Sequence, residues 1–237
     1  MSRFDDQPIS RNSATLLAID EGLRTFMLRV YNYMALGLGL TGVVAYLLST
    51  NQQLMSMIFG SPLGYVFMFA PFALVLFISF RLDKIQASTA QMLFWAYAGL
   101  MGISLSVIFM IYTGQSVARM FFVTASLFGS MSLYGYTTKK DLTSMGSFMM
   151  MGVWGIILAS LVNMFFKSSA MQMLLSVLTV IVFTGLTAYD TQKIKEVYYE
   201  SDSADVASKK AVMGALTLYI DFINIFLSLL RLFGERR

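Results

Sequence analysis

Apolar residues fill this chain in long runs, and the charged positions that interrupt them are widely spaced. No charge occurs between Val30 and Phe80, between Ile85 and Ala118, between Leu142 and Phe166, or between Ser168 and Tyr189. Uncharged, mostly apolar stretches above about 18 residues read as membrane-spanning helices. The pattern predicts seven of them: Val30–Ser49, Leu63–Phe80, Thr89–Tyr112, Met120–Tyr136, Gly146–Phe166, Met171–Asp190 and Ala211–Phe233. The connections are short, the longest being the charged stretch Thr191–Lys210, and none can fold as a separate soluble domain. The expected organisation is a polar segment over residues 1–25, loosely ordered or interfacial, followed by one transmembrane domain over residues 26–237. The fold class is an all-α membrane protein, a seven-helix bundle. The polar segment lacks the apolar core of a cleavable signal, so the first spanning helix is expected to act as the targeting signal.

Composition agrees with this class. The 237 residues are 57% hydrophobic and 13% charged, against roughly 25% charged in a soluble domain. The location of the charges adds an orientation. Arg3, Arg11, Arg24, Arg29, Arg81, Lys84, Lys139, Lys140, Lys193, Lys195, Lys209 and Lys210 fall on one side of the predicted bundle, and only Arg119 and Lys167 on connections of the other. This bias predicts a cytoplasmic N-terminus. Arg231, Arg236 and Arg237 depart from it if the seventh segment crosses fully, and a re-entrant segment would restore it; the segment's length favours a crossing. The basic residues form no aromatic-studded face, so nucleic acid is not an expected partner. With neither Cys nor His, disulfides, thiolate nucleophiles and imidazole proton shuttles are excluded. Proton chemistry near neutral pH must fall to carboxylates or lysines.

Small residues four apart, Ala98 and Gly102, Ser126 and Ser130, and Ala211 and Ala215, are expected to let helices approach closely. Pro71 inside the second segment is expected to kink that helix or loosen its hydrogen bonds. The 19 Met and 20 Phe residues read as core filling and lipid contact.

The last segment, AVMGALTLYIDFINIFLSLL, carries Asp221 at its middle. A carboxylate at that depth costs about 2.5–3.5 kcal/mol on insertion scales, so it reads as functional and partnered. Thr217, Asp221, Asn224 and Ser228 fall at i, i+4, i+7 and i+11 and line one helix face. They are candidates to line a water-filled path, although for Thr217 and Ser228 interhelical packing is the better reading. The sixth segment presents Ser176, Thr187 and Asp190 on a comparable face, with Asp190 at its end, where the helix dipole disfavours an anion unless it has a partner. Two carboxylates brought close cannot both ionise cheaply, which makes a proton sensor or a divalent-cation site; calcium suits oxygen ligands. Arg81, at the end of the second segment, reads as a membrane anchor or as a breakable ion-pair partner of this pair.

Three blocks in order, SLYGYTTKKDLTSMG (Ser132–Gly146), GLTAYDTQKIK (Gly185–Lys195) and TLYIDFINIFLSLLRLFG (Thr217–Gly234), strongly resemble the Bax inhibitor-1, or transmembrane Bax inhibitor motif, family, in the manner of a bacterial member. The resemblance runs from about the first segment to the C-terminus. It implies a seven-helix fold with the last helix central among the other six. It also implies a pH-sensitive calcium leak governed by an aspartate pair at the positions of Asp190 and Asp221, with an arginine corresponding to Arg81. Residues Thr137–Asp141 match a family motif whose plain reading is a cytoplasmic loop cap.

The expected function is a pH-gated calcium or cation leak in the bacterial inner membrane, with no resident cofactor; calcium is transported or transiently bound at Asp190 and Asp221. Alternatives are a non-conducting regulator that binds another membrane protein, such as a protease or a cell-death component, and a proton-coupled antiporter. An enzyme is not expected: Asp221 follows LYI rather than the Gly-x-Gly that precedes the second aspartate of intramembrane aspartyl proteases.

Overall fold

A computed structural model describes the backbone of residues 8–81 and 84–237, with side chains from Glu21 onward; Arg3 and Arg11 lie outside the described side chains. The described residues form nine helices: α1 (Pro8–Thr50), α2 (Gln52–Phe59), α3 (Leu63–Arg81), α4 (Ala87–Leu105), α5 (Ile108–Ile111), α6 (Gly114–Thr137), α7 (Thr143–Phe166), α8 (Ser169–Glu196) and α9 (Ala204–Phe233). Seven stretches are long and apolar enough to span a membrane, with α4 and α5 counting as one, and they coincide with the seven expected segments.

The last helix is central. It packs against α8, α1, α6 and α4, whereas α3 packs on α4 and α2, and α7 packs on α8. Ala211 and Ala215 are fully buried on α9, and Ala98 on α4. A Cβ on Gly102 would lie 2.8 Å from the Thr41 carbonyl oxygen, so α1 and α4 meet where the small-residue spacing predicts. Ser126 and Ser130 do not follow this rule. They are exposed, and each hydroxyl donates to a carbonyl four residues back on its own helix. A hydroxyl satisfied locally needs no neighbouring helix.

Three local features were not evident in the sequence pattern. The first connection contains α2, whose Met55 is buried. The third segment breaks at Ser106 and Val107, between α4 and α5, where the Ser106 hydroxyl donates to the Ile103 carbonyl at 2.6 Å. The sixth segment continues past Asp190 to Glu196, and α9 starts at Ala204, so the expected long loop shrinks to residues 197–203. Pro71 lies inside α3 as expected. Lacking an N–H, it leaves the Phe67 carbonyl four residues earlier without its helical donor, and the Ser104 hydroxyl of α4 supplies one.

The two ends of α9 determine its course. At its start, Asp205 Oδ1 accepts from the Ala87 N–H at 2.9 Å, at the head of α4. Beyond its end, Thr113 N–H donates to the Glu235 carbonyl at 3.0 Å and Arg237 N–H to the Ile111 carbonyl at 2.9 Å, and the Glu235 N–H donates to the Ser116 hydroxyl. The α3–α4 and α5–α6 connections lie at opposite ends of the α4–α5 span, so α9 traverses the bundle. Its 30 residues reach about 45 Å at 1.5 Å per residue. The end holding Lys84, Lys139, Lys140, Lys193 and Lys195 is called the lysine-rich end below, and the other the C-terminal end.

Candidate functional site

The centre of the molecule is the α8–α9 contact. Two glycines let neighbouring helices close on α8 just before Asp190. A Cβ on Gly135 of α6 would collide with the Ala188 carbonyl, and one on Gly146 of α7 would collide with the Tyr189 ring. With α6 and α7 seated this closely, Asp190 is only 8% exposed and Asp221 only 3%. The two carboxyls lie close enough between the helices to interact directly. Lys193, next along α8, is the cation whose charge reaches Asp190. Asp221 Oδ2 is buried and has no hydrogen-bond partner among the described residues.

Asp190 is therefore not at a helix end. It lies six residues before the end of α8, away from the unfavourable C-terminal carbonyls, and burial beside a second carboxyl is what demands a partner. Arg81 does not join the two aspartates. It is exposed at the end of α3, a helix that packs on α4 and α2, and it forms no ion pair among the described residues.

The polar stripe of α9 divides in two. Asn224 and Ser228 line a cavity of about 720 Å³ between α7, α8 and α9, open at the C-terminal end and reached also by Thr179, Phe183 and Arg231. Thr217 lies on the other side of Asp221 and donates to the Met213 carbonyl at 3.1 Å; Thr187 is fully buried and donates to the Phe183 carbonyl at 2.8 Å. Asn224 Nδ2 donates to the Ile220 carbonyl. Three of the four pore-lining candidates thus satisfy a donor within their own helix. The cavity nevertheless descends to Asn224, three residues or about 4.5 Å of helix from Asp221.

On the lysine-rich side of the pair, hydrogen bonds tie a connection to α8. Gln192 Oε1 accepts from the Leu142 N–H at 2.8 Å, and its Nε2 donates to the Lys140 carbonyl at 2.8 Å. Lys195 Nζ donates to the Tyr136 carbonyl at 2.9 Å. Together they fasten the Thr138–Leu142 connection across the end of α8, consistent with a loop cap. Deeper in, Tyr31, Ser132 and Thr191 join hydroxyls across α1, α6 and α8, at 2.6 Å and 2.9 Å. Sequence reasoning passed over Gln192, Tyr31 and Ser132. Their only signal was polarity within or beside spanning segments, and their partners lie 50 or more residues away in the chain.

Comparison with known proteins agrees with this architecture. The profile of the family described as inhibitor of apoptosis-promoting Bax1 matches residues 23–237. The chain belongs to the Bax inhibitor-1 family. Among its relatives, a Rickettsia prowazekii protein is 52% identical over 218 residues, 92% of each chain. The inner membrane protein YbhL of Escherichia coli is 47% identical over 91% of this chain and 94% of its own. A membrane protein of Streptococcus pyogenes is 35% identical over 91% of this chain and 95% of its own. This protein is accordingly an all-α membrane protein of the Bax inhibitor-1 family.

Proposed function

We propose that this protein is a pH-responsive leak for calcium or a similar cation in the bacterial inner membrane, oriented with its N-terminus in the cytoplasm and gated by Asp190 and Asp221. The observation that carries this reading is the buried contact between the two carboxyls. Two carboxylates in contact in a low-dielectric interior repel strongly unless a proton or a cation lies between them. Protons and cations then compete for one place, which couples permeation to pH. The unpartnered Asp221 Oδ2 offers an oxygen to a passing cation, and calcium would complete its six to eight oxygen ligands with carbonyls and water. Among the described residues no third Asp or Glu stands with the pair, which suits transient passage better than tight storage.

Access is unequal on the two sides. From the C-terminal end the cavity reaches Asn224, within one turn of Asp221. At the lysine-rich end Gln192 ties the Thr138–Leu142 connection across the end of α8. Opening requires movement on that side, and the Gln192 bonds are the ones to break. The reading is of a conduit and not an enzyme, with the bilayer and calcium as its partners.

Calcium flux into liposomes containing the purified protein, measured from pH 5 to pH 8, tests the proposal. The native protein should show flux that changes with pH. Asp221→Asn and Asp190→Asn should each flatten that dependence, since an amide exchanges no proton. Native-like pH dependence in both variants would sink the aspartate-pair mechanism. No flux from well-folded protein, with a stoichiometric membrane partner co-purifying, would favour a regulator that conducts nothing.

A further inference from the structure

The cavity at the C-terminal end has a composition that cation passage alone does not explain. Its one charged lining residue is Arg231, and no acidic residue lines it. Arg231 forms no ion pair among the described residues. The lining also includes the amide side chains of Asn163 near the end of α7 and Gln172 at the start of α8. Asn163 uses its Oδ1 to accept from the Ser168 N–H at 3.0 Å, which leaves its NH₂ as a donor. The lining thus combines one cation with amide donors and no carboxylate, which fits an anion with several acceptor oxygens.

Deeper in, the lining mixes the polar side chains of Ser160, Thr179, Asn224 and Ser228 with apolar ones, and its outer walls are apolar and exposed. Phe72 of α3 forms one wall and Leu161 and Met164 of α7 the other, and they are 66%, 52% and 63% exposed. Because α3 leans on α4 and α7 on α8, neither covers this face of α9, and the cavity opens sideways between them. Donors near the C-terminal end of the bundle, beside exposed apolar walls, match a phosphate joined to an acyl chain.

We propose that this cavity is a binding site for an anionic glycerophospholipid of the leaflet on the C-terminal side, its phosphate held by Arg231, Asn163 and Gln172 and one acyl chain lying against Phe72, Leu161 and Met164. The cavity volume of about 720 Å³ accommodates a headgroup and part of a chain. If the conduction reading above holds, the lipid phosphate also offsets the one positive charge a cation would meet on entering. That consequence rests on the conduction reading; the binding itself does not.

Native mass spectrometry of the delipidated full-length chain, titrated with dioleoyl phosphatidylglycerol or dioleoyl phosphatidylcholine, tests the site without any flux measurement. The native protein should take up a first phosphatidylglycerol in preference to phosphatidylcholine. Arg231→Gln should weaken that first adduct about tenfold, the scale of one lost charge-assisted hydrogen bond, and leave phosphatidylcholine adducts unchanged. Arg237→Gln, at the same end but outside the cavity, should behave like the native protein. Should Arg231→Gln fail to fold, Gln172→Leu and Leu161→Trp replace it, and both should weaken the phosphatidylglycerol adduct. An undiminished first adduct in the folded variants overturns the site. Displacement of the lipid by inorganic phosphate at equal concentration overturns the lipid assignment in favour of a soluble anion.

Discussion

Helices α7 and α9 are nearly indistinguishable by hydropathy and occupy opposite environments. The spanning windows of Thr143–Phe166 and Ala204–Phe233 have mean hydropathies of 1.9 and 1.8, yet 0% of the first and 72% of the second is buried in the protein. In lipid, the surroundings of a peripheral helix are as apolar as a protein core, so hydrophobicity does not sort centre from rim. Small and polar residues do. On α9, Ala211, Gly214 and Ala215 are buried, Tyr219 bonds the Thr41 hydroxyl at 2.6 Å, and Asp221 meets Asp190. On α7, only Gly146 is buried, and the large side chains Phe148, Met151, Trp154 and Leu158 point outward, each more than half exposed.

Close approach to the central pair gives the largest expected contrast. Gly135→Ala places a methyl group against the Ala188 carbonyl, and overpacking of this kind costs about 1–3 kcal/mol. Gly155→Ala on α7 meets open space, and replacing a helical glycine there should be neutral or stabilising by up to about 1 kcal/mol. Unfolding in mixed SDS micelles, followed by circular dichroism, separates the two. Similar losses from both would mean that α7 is packed far more tightly than its exposure indicates.

A hydrogen bond gives the next contrast. Tyr219→Phe removes the α9 hydroxyl that bonds Thr41 and should cost about 1 kcal/mol, the net worth of an ordinary bond. Trp154→Phe on α7 exchanges one lipid-facing aromatic for another and should leave the midpoint unchanged. A neutral Tyr219→Phe would show that Thr41 is already satisfied by the Gly37 and Ala98 carbonyls, to which its hydroxyl also lies within 2.9 Å and 2.8 Å.

The smallest effect lies at the membrane-distal start of α7. The Thr143 hydroxyl and backbone N–H bond the Asp141 carboxylate and hold its pKa below the ordinary carboxylate value. A depressed folded-state pKa adds stability above the unfolded value, and that increment is lost as pH falls through the depressed one. Asp141→Asn should therefore lower the unfolding midpoint slightly at neutral pH, and the difference should shrink as pH falls through the depressed value. A difference that persists unchanged in acid would assign the effect to local geometry instead of charge.

Much of the candidate site was visible in the chain before folding. Asp221 stood out because a spanning segment tolerates a carboxylate poorly, and Asp190 because it was the other acid near membrane depth. Arg81 shows where such reasoning fails. Sequence placed it at the lysine-rich end with Asp190, but shared depth is not contact, and α3 leans away on α4. Gln192 shows the reverse. An amide after a spanning segment carries no signal until residues Lys140 and Leu142, some fifty positions earlier, present a carbonyl and an N–H to it.

By itself the sequence determined the class, the seven spans and the two carboxylates that a membrane protein would not retain idly, because the cost of charge and unpaired backbone in hydrocarbon acts on each segment alone. Tertiary structure alone decided the rest. It brought Asp190 and Asp221 together, left Arg81 outside, turned the break at Pro71 into a bond with Ser104, carried α9 across the bundle, opened a cavity on one side of the aspartates and pinned a connection on the other. Those outcomes depend on which helix faces meet, and mean hydropathy, nearly equal for lipid-facing α7 and buried α9, does not encode them.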